Sequence, residues 1–290
     1  MNHITIDIIV PTYNRGDLLP ETLKSVQDQT FSNWQCWIAE DGETKETLDA
    51  IKPFLKDDRF KYLPGKHAGF PATPRNRAIT YGSAKYVAFL DDDDIWLPEK
   101  LERQVAFLEQ RPDCVLLGCN GFRWDGTEDK KSSSPVYFGK APFGEISYET
   151  FLRANWIILS SAIVHRTALE QAGLFSETLC PPLAEDYELW LRVGSLGEIW
   201  LMEESYLLYR ETPNGYYPKL GRKGKYDMKA QIIDSALNGV GGIPSPLSYP
   251  ENSRYAAACC RERDFCFARF RLLGHLKRKI ASTIKKINRS

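Results

Sequence analysis

At 290 residues, with 43% apolar, 26% charged and 12% aromatic side chains, the chain has an ordinary folded composition and the length of one large α/β domain or two lobes sharing a core. Its 38 basic and 38 acidic residues balance, which removes any global electrostatic reason to expect a nucleic-acid partner. Seven cysteines, an odd number without a C-x-x-C pair, argue against a disulfide framework or a zinc site, and no run approaches ~18 consecutive apolar residues, so a reduced, cytoplasmic protein is expected.

Ile4 to Val10 is short and rich in β-branched residues and stops at Pro11, which reads as a buried strand entering a loop. Behind Asp17, a candidate N-cap, Leu18, Leu19, Leu23 and Val26 recur at helical spacing, and Trp34 to Ala39 returns to a strand. The alternation continues with a helix over Thr44 to Leu55, a strand over Arg59 to Leu63, a helix over Arg75 to Ser83 and a buried strand over Tyr86 to Leu90. Such an order predicts a Rossmann-like, mostly parallel central sheet with helices on both faces. Ligands gather beyond the carboxyl ends of the strands of such sheets, where Pro11 to Arg15, Glu40-Asp41-Gly42 and Asp91 to Asp94 fall.

A helix over Pro98 to Gln110 and a strand over Cys114 to Gly118 follow, and then a polar loop from Asp125 to Pro135 marks a change of pattern. Ile157 to Val164 and Ile199 to Tyr209 read as strands and Glu185 to Val193 as a buried helix. The division expected from this is one half over 1–120, a second over 121–225 and a C-terminal helical extension over 226–290.

The four consecutive carboxylates Asp91 to Asp94 repel one another unless neutralised. A hard divalent cation, Mn2+ or Mg2+, relieves that repulsion while also binding substrate phosphates. Acidic runs also form solvated turns and helix caps, but this one lies between an apolar strand and Trp96, which holds the charges beside a core.

Val10-Pro11-Thr12-Tyr13-Asn14-Arg15, Glu40-Asp41-Gly42, Arg75-Asn76 and Leu90-Asp91-Asp92-Asp93-Asp94 occur in an order and spacing that resembles family 2 glycosyltransferases, and Glu46 to Leu55 is similar to their bacterial SpsA-type branch. The resemblance covers roughly residues 4 to 210 and implies the GT-A fold. It implies that Pro11, Thr12, Tyr13 and Arg15 line a nucleotide pocket and that Asp41 accepts a hydrogen bond from the base imide, here with Glu40 in place of the usual preceding aspartate. It assigns Asp92 and Asp93 to ribose and metal, with Asp93 the first choice as ligand and Asp91 a further contributor. Arg75 and Asn76 would lie near the diphosphate or brace Asp41 and the metal loop; the plain alternative for Arg75 is a helix-surface arginine.

Leu183 to Arg192 resembles the family's acidic segment, which makes Asp186 the expected general base for an acceptor hydroxyl, with Leu183, Leu189 and Trp190 placed to raise its basicity by desolvation. Glu185 or Asp186 can equally cap the helix they begin. After Leu207 to Arg210 relatives often carry a histidine, whereas this chain reads Glu211-Thr212-Pro213-Asn214. His67, in the loop Gly65 to Gly69, reads as part of a flexible loop, with Lys66 and backbone amides as the alternative approach to a diphosphate.

From Arg261 to Ser290 ten Lys or Arg face Glu262 and Asp264, and Leu273, Leu276, Ile280, Ile284 and Ile287 share one helical stripe. This basic amphipathic tail suits either anionic lipid at the inner face of the cell membrane or docking on its own domain or on a second copy in a homo-oligomer.

Taken with the resemblance, these features predict a metal-dependent, inverting glycosyltransferase that moves a sugar from a UDP-sugar, or next a dTDP-sugar, to a glycan or lipid-linked saccharide. The rivals are a sugar-phosphate nucleotidyltransferase, which lacks its Gly-rich phosphate loop here, and a non-catalytic carbohydrate-binding protein.

Overall fold

The strand β1 (Ile6–Thr12) is buried along its whole length and feeds both faces of a sheet: Ile6, Ile8 and Val10 pack into one apolar cluster and Ile9 into the other. A computed structural model of the chain describes residues 4–127, 134–178, 184–211, 222–239 and 244–269. β1 pairs in parallel with β2 (Trp34–Glu40) and β4 (Tyr86–Phe89), and β2 pairs in parallel with β3 (Phe60–Leu63), as the alternation in the sequence predicts.

Helices α1 (Leu19–Gln27), α2 (Lys45–Ile51), α3 (Ala72–Tyr81) and α4 (Lys100–Glu109) make the crossovers. Asp17 does not cap α1, which starts after Leu18 with Pro20 in its first turn, where the missing amide hydrogen costs no helical bond. Thr44 does cap α2, accepting from the Thr47 amide. α3 begins three residues before the expected Arg75, because Pro74 is tolerated in a first turn.

The expected mostly parallel sheet is corrected to a mixed one. Among the described residues nine strands run in the order β3, β2, β1, β4, β8 (Ile163–His165), β6 (Cys114–Trp124), β9 (Glu198–Arg210) and β5 (Ile95–Trp96), with β7 (Gly144–Ile146) attached to β9. β8 inserts antiparallel between β4 and β6. β9 is parallel to β6, while β5 and β7 run antiparallel to it. A short strand buried on both faces has the same apolar signature in either direction, so periodicity alone does not reveal the reversal.

The expected strand Ile157 to Val164 is mostly not a strand. Leu159–Ser161 forms a 3₁₀ turn, and Ser160 spends its polar atoms on the acidic loop: its hydroxyl accepts from the Asp91 amide at 3.0 Å and its carbonyl accepts from Trp96 Nε1 at 2.7 Å. A buried ion pair pins the reversed strand. Asp7, inside β1, accepts from Arg166 Nη2 and the Ala84 amide, both at 2.7 Å, and from Trp37 Nε1 at 2.8 Å.

α1 and α4 cover one face, and α3, α6 (Arg166–Ala172), α7 (Glu185–Val193) and α8 (Arg222–Asn238) cover the other; between β7 and β8 lies the single turn α5 (Tyr148–Phe151). A further helix occupies 253–269 and packs Ala258 and Cys259 into the second cluster, so a C-terminal helical region is present. The basic stripe from Leu273 to Arg289 lies outside the described residues. No described helix is long and apolar enough to cross a membrane.

Candidate active site

The loops after β1, β2 and β4 open onto one cleft of about 1360 Å³, shared with the start of α7 and one face of α8. Pro11, Thr12, Tyr13, Arg15, Asp41, Arg75, Asp91, Asp92, Asp93 and Asp186 all line it. Asn76 does not. It follows Arg75 by one position on α3 and so points elsewhere: its amide nitrogen donates to the Phe175 carbonyl at 3.0 Å and to Glu177 at 2.8 Å, and its oxygen accepts from the Phe175 amide at 3.0 Å.

Tyr13 is 50% exposed, and its ring stacks on His67 with centroids 4.3 Å apart and planes 16° from parallel. Asp41 is buried, and its two carboxylate oxygens accept the Ala68 and Gly69 amides at 2.7 and 2.8 Å. The loop carrying His67 is thereby fastened to the two residues that the sequence assigns to the base. Its glycine at position 69 has φ +75°, a backbone region that favours residues without a Cβ. Glu40 does not face the cleft; it accepts from the Thr44 amide at 3.2 Å and hydroxyl at 2.7 Å and from the Tyr62 hydroxyl, bracing the start of α2.

Arg75 is 4% exposed and joins two loops: Nη2 donates to Asp91 and Nη1 to Glu185, each at 2.7 Å. It is neither a surface arginine nor a partner of Asp41. It holds the acidic loop against the helix that begins with Glu185. Arg210 braces the other side of that loop, its amide donating to Asp94 Oδ1 at 2.8 Å and its Nε to the Asp93 carbonyl at 2.7 Å, while Nη2 pairs with Glu21 at 2.8 Å. Sequence reading missed Arg210; the available signal was a cation directly after the apolar run Leu207-Leu208-Tyr209.

The four aspartates divide by environment. Asp94 is buried and turned to the Arg210 amide, and burial raises its carboxyl well above the ordinary range. Asp92 is pushed up to about 7, first by burial and further by Asp93 and Asp91, against the Thr12 hydroxyl and Arg15. Asp93 is raised by burial and Asp91, with Arg15 Nη1 3.5 Å from its Oδ2. For Asp92 and Asp93, burial and mutual repulsion outweigh the nearby guanidinium groups. Among the described residues no three His, Cys, Asp or Glu side chains are grouped as a metal cage.

Asp186, partly exposed to the cleft, accepts from Asn155 Nδ2 at 2.9 Å. Burial, then the neighbouring Glu185, pushes its carboxyl up to about 7. A carboxylate poised there can accept a proton near neutral pH, which suits a general base. No side chain caps α7, so the acidic residues of its first turn meet the helix dipole without replacing a cap.

Residues 7–173, more than half of the chain, match the glycosyl transferase family 2 profile. The chain belongs to that family. An uncharacterized glycosyltransferase of Rickettsia bellii is 32% identical over 194 residues, covering 66% of this chain and 26% of that protein, so the chain spans about a quarter of that relative's length. The UDP-Glc:alpha-D-GlcNAc-diphosphoundecaprenol beta-1,3-glucosyltransferase WfgD of Escherichia coli is 31% identical over 193 residues, 67% of this chain and 71% of the relative. In fold, this family 2 member is similar to S. aureus TarS 1-349, solved in complex with UDP, with a TM-score of 0.65 and 18% identity over 89% of this chain and 70% of that one.

Proposed function

We propose that the chain is an inverting glycosyltransferase that moves a sugar from a UDP-sugar to a hydroxyl of a glycan or lipid-linked saccharide. The observation that carries this reading is the meeting, in one cleft, of a flat aromatic face beside a buried carboxylate, an acidic loop short of positive charge, and a carboxylate tuned to about 7. Family membership supports the chemistry, and the relative named for a UDP-glucose donor supports the choice of nucleotide.

In this reading Tyr13 stacks on the base and Asp41 accepts the imide hydrogen of uracil, with Pro11 and Thr12 forming the adjoining wall. Taking that hydrogen bond requires Asp41 to exchange at least one of the loop amides it holds. Arg15 neutralises charge on the diphosphate. Arg75 and Asn76 act as positioning residues, the first for Asp91 and Glu185 and the second for the turn at Phe175. Residues 1–120 supply the donor side and 121–225 the acceptor side, with 226–290 as an extension.

The acidic loop fits a hard divalent cation, Mn2+ or Mg2+, of the kind that takes one or two carboxylates and completes its shell with substrate phosphates and water. Asp93 would be the first ligand, with Asp92 and Asp91 beside it. When bound, the ion supplies positive charge that offsets the leaving nucleotide diphosphate. Asp186, held by Asn155, removes the acceptor proton as the new bond forms in a single displacement; positioning and electrostatics supply most of the rate.

The test is incubation with a panel of UDP-hexoses and saccharide acceptors. Release of UDP with transfer is expected. Pyrophosphate released from a nucleoside triphosphate and a sugar phosphate would overturn the assignment in favour of a nucleotidyltransferase, and absence of turnover with metal and donor would favour a carbohydrate-binding protein.

A further inference from the structure

Most of the cations lining the cleft are matched to carboxylates. Arg75 is shared between Asp91 and Glu185, Arg123 meets Glu211 at 2.6 Å, and Lys229 meets Glu262. Arg153 and Lys225 line the same cleft, both exposed, and the side chain of neither makes an ion pair or hydrogen bond with a described residue.

These two cations are neighbours. Lys225 and Lys229 stand one turn apart on α8, a spacing of roughly 6 Å between Cβ atoms. Lys229 Nζ donates to the Arg153 carbonyl at 3.0 Å, which brings Arg153 against that turn. Two residues further on, Asn155 donates to Asp186 at 2.9 Å. Two residues of chain span at most about 7 Å, so an anion held by Arg153 and Lys225 lies close to the hydroxyl that Asp186 would deprotonate.

We propose that Arg153 and Lys225 form an acceptor subsite for a phosphoester on the sugar unit that carries the reacting hydroxyl, that is, a sugar 1-phosphate or 1-diphosphate. The inference rests on the transferase reading of the cleft. Among the described residues neither cation has a partner to satisfy, and two such cations beside the proposed base are explained by an anion that arrives with the acceptor. The shared chemistry is the phosphoester, whether it ends in a lipid or belongs to a soluble sugar phosphate.

The experiment is equilibrium binding by calorimetry with UDP at saturation, so that the donor phosphate site is filled. Hexose and N-acetylhexosamine 1-phosphates are compared with methyl glycosides of the same sugars, and with decyl diphosphate esters as a lipid-like arm. For at least one sugar the 1-phosphate should bind about tenfold tighter than the methyl glycoside. The double substitution Arg153→Gln with Lys225→Gln should erase that advantage and leave methyl glycoside binding within about twofold, and Arg153→Lys with Lys225→Arg should keep most of it.

Tighter binding of the decyl diphosphate than of the 1-phosphate identifies a lipid-linked acceptor, and equal binding a soluble one. Equal affinity of wild type for phosphorylated and neutral sugars across the panel, or an equal loss for both in the glutamine variant, overturns the subsite. Failure of the transferase reading appears separately, as absence of UDP release from every donor and acceptor pair.

Discussion

Replacing Asp186 with asparagine should raise stability and sharply slow transfer, and the gain in stability should grow with pH. In the folded chain burial and Glu185 lift this carboxyl from 3.8 to about 7. A carboxyl with a raised folded-state pKa keeps its proton longer in the folded chain than in the unfolded one, so stability falls as pH climbs from about 4 to about 7 and is level above that window. At about 1.36 kcal/mol per pKa unit, two units lie between pH 5 and the folded pKa, so wild type loses about 3 kcal/mol between pH 5 and 8, before solvent relaxation reduces the figure. The side chain of Asp186→Asn does not titrate and still offers an oxygen to Asn155.

The difference in Tm between the two proteins should therefore widen by up to about 5 °C from pH 5 to pH 8, measured by thermal unfolding in matched buffers. Other titrations cancel in that difference. Wild-type transfer should rise with pH through about 7 and then level, because the base must be unprotonated, while the variant should be slower by roughly 10²- to 10⁴-fold at every pH. Parallel melting profiles would refute the buried-carboxylate argument, and normal transfer by the variant would remove Asp186 from the mechanism.

Asp93→Ala should lose the added thermal stabilisation that Mn2+ gives in the presence of UDP, seen by differential scanning fluorimetry; an undiminished manganese effect moves the ligand elsewhere in the loop. Arg75→Ala leaves the buried Glu185 facing no cation and should cost roughly 3–5 kcal/mol in denaturant unfolding, whereas a surface arginine would cost less than about 0.5. Tyr13→Ala should weaken UDP binding by roughly 1–3 kcal/mol, read by calorimetry, if the base stacks there. Deleting residues 269–290 should abolish flotation with anionic vesicles if the tail contacts lipid, and unchanged flotation removes that role.

The sequence discloses what is local and periodic. β1, β2, β4 and the helices between them follow from apolar spacing, and the site loops follow from where those strands end. Four identical aspartates carry no internal register, so only the fold separates Asp94, turned to the Arg210 amide, from Asp92 and Asp93 in the cleft. Arg75 finds Glu185 across 110 positions, a pairing that no local spacing encodes. Adjacent helical residues diverge by a rotation that places Asn76 outside the cleft while Arg75 remains in it. His67 reads as loop because stacking on Tyr13 depends on Asp41 holding the two following amides.

The same interleaving explains why the proposed donor and acceptor sides cannot drift apart. β8, from beyond residue 120, lies between β4 and β6, so the strand that delivers Asp91 is hydrogen-bonded to the second half of the chain. Ser160, just before β8, fixes the Asp91 amide, and Arg75 fixes the Asp91 carboxylate together with Glu185, the residue before the proposed base. The buried guanidinium thus sets the distance between the acidic loop and α7, while the Ser160 hydroxyl ties the backbone of that loop to the turn before β8. A mobile arrangement would have to form that distance anew at each turnover; here folding sets it in advance, which is the condition under which fixed charges lower a barrier.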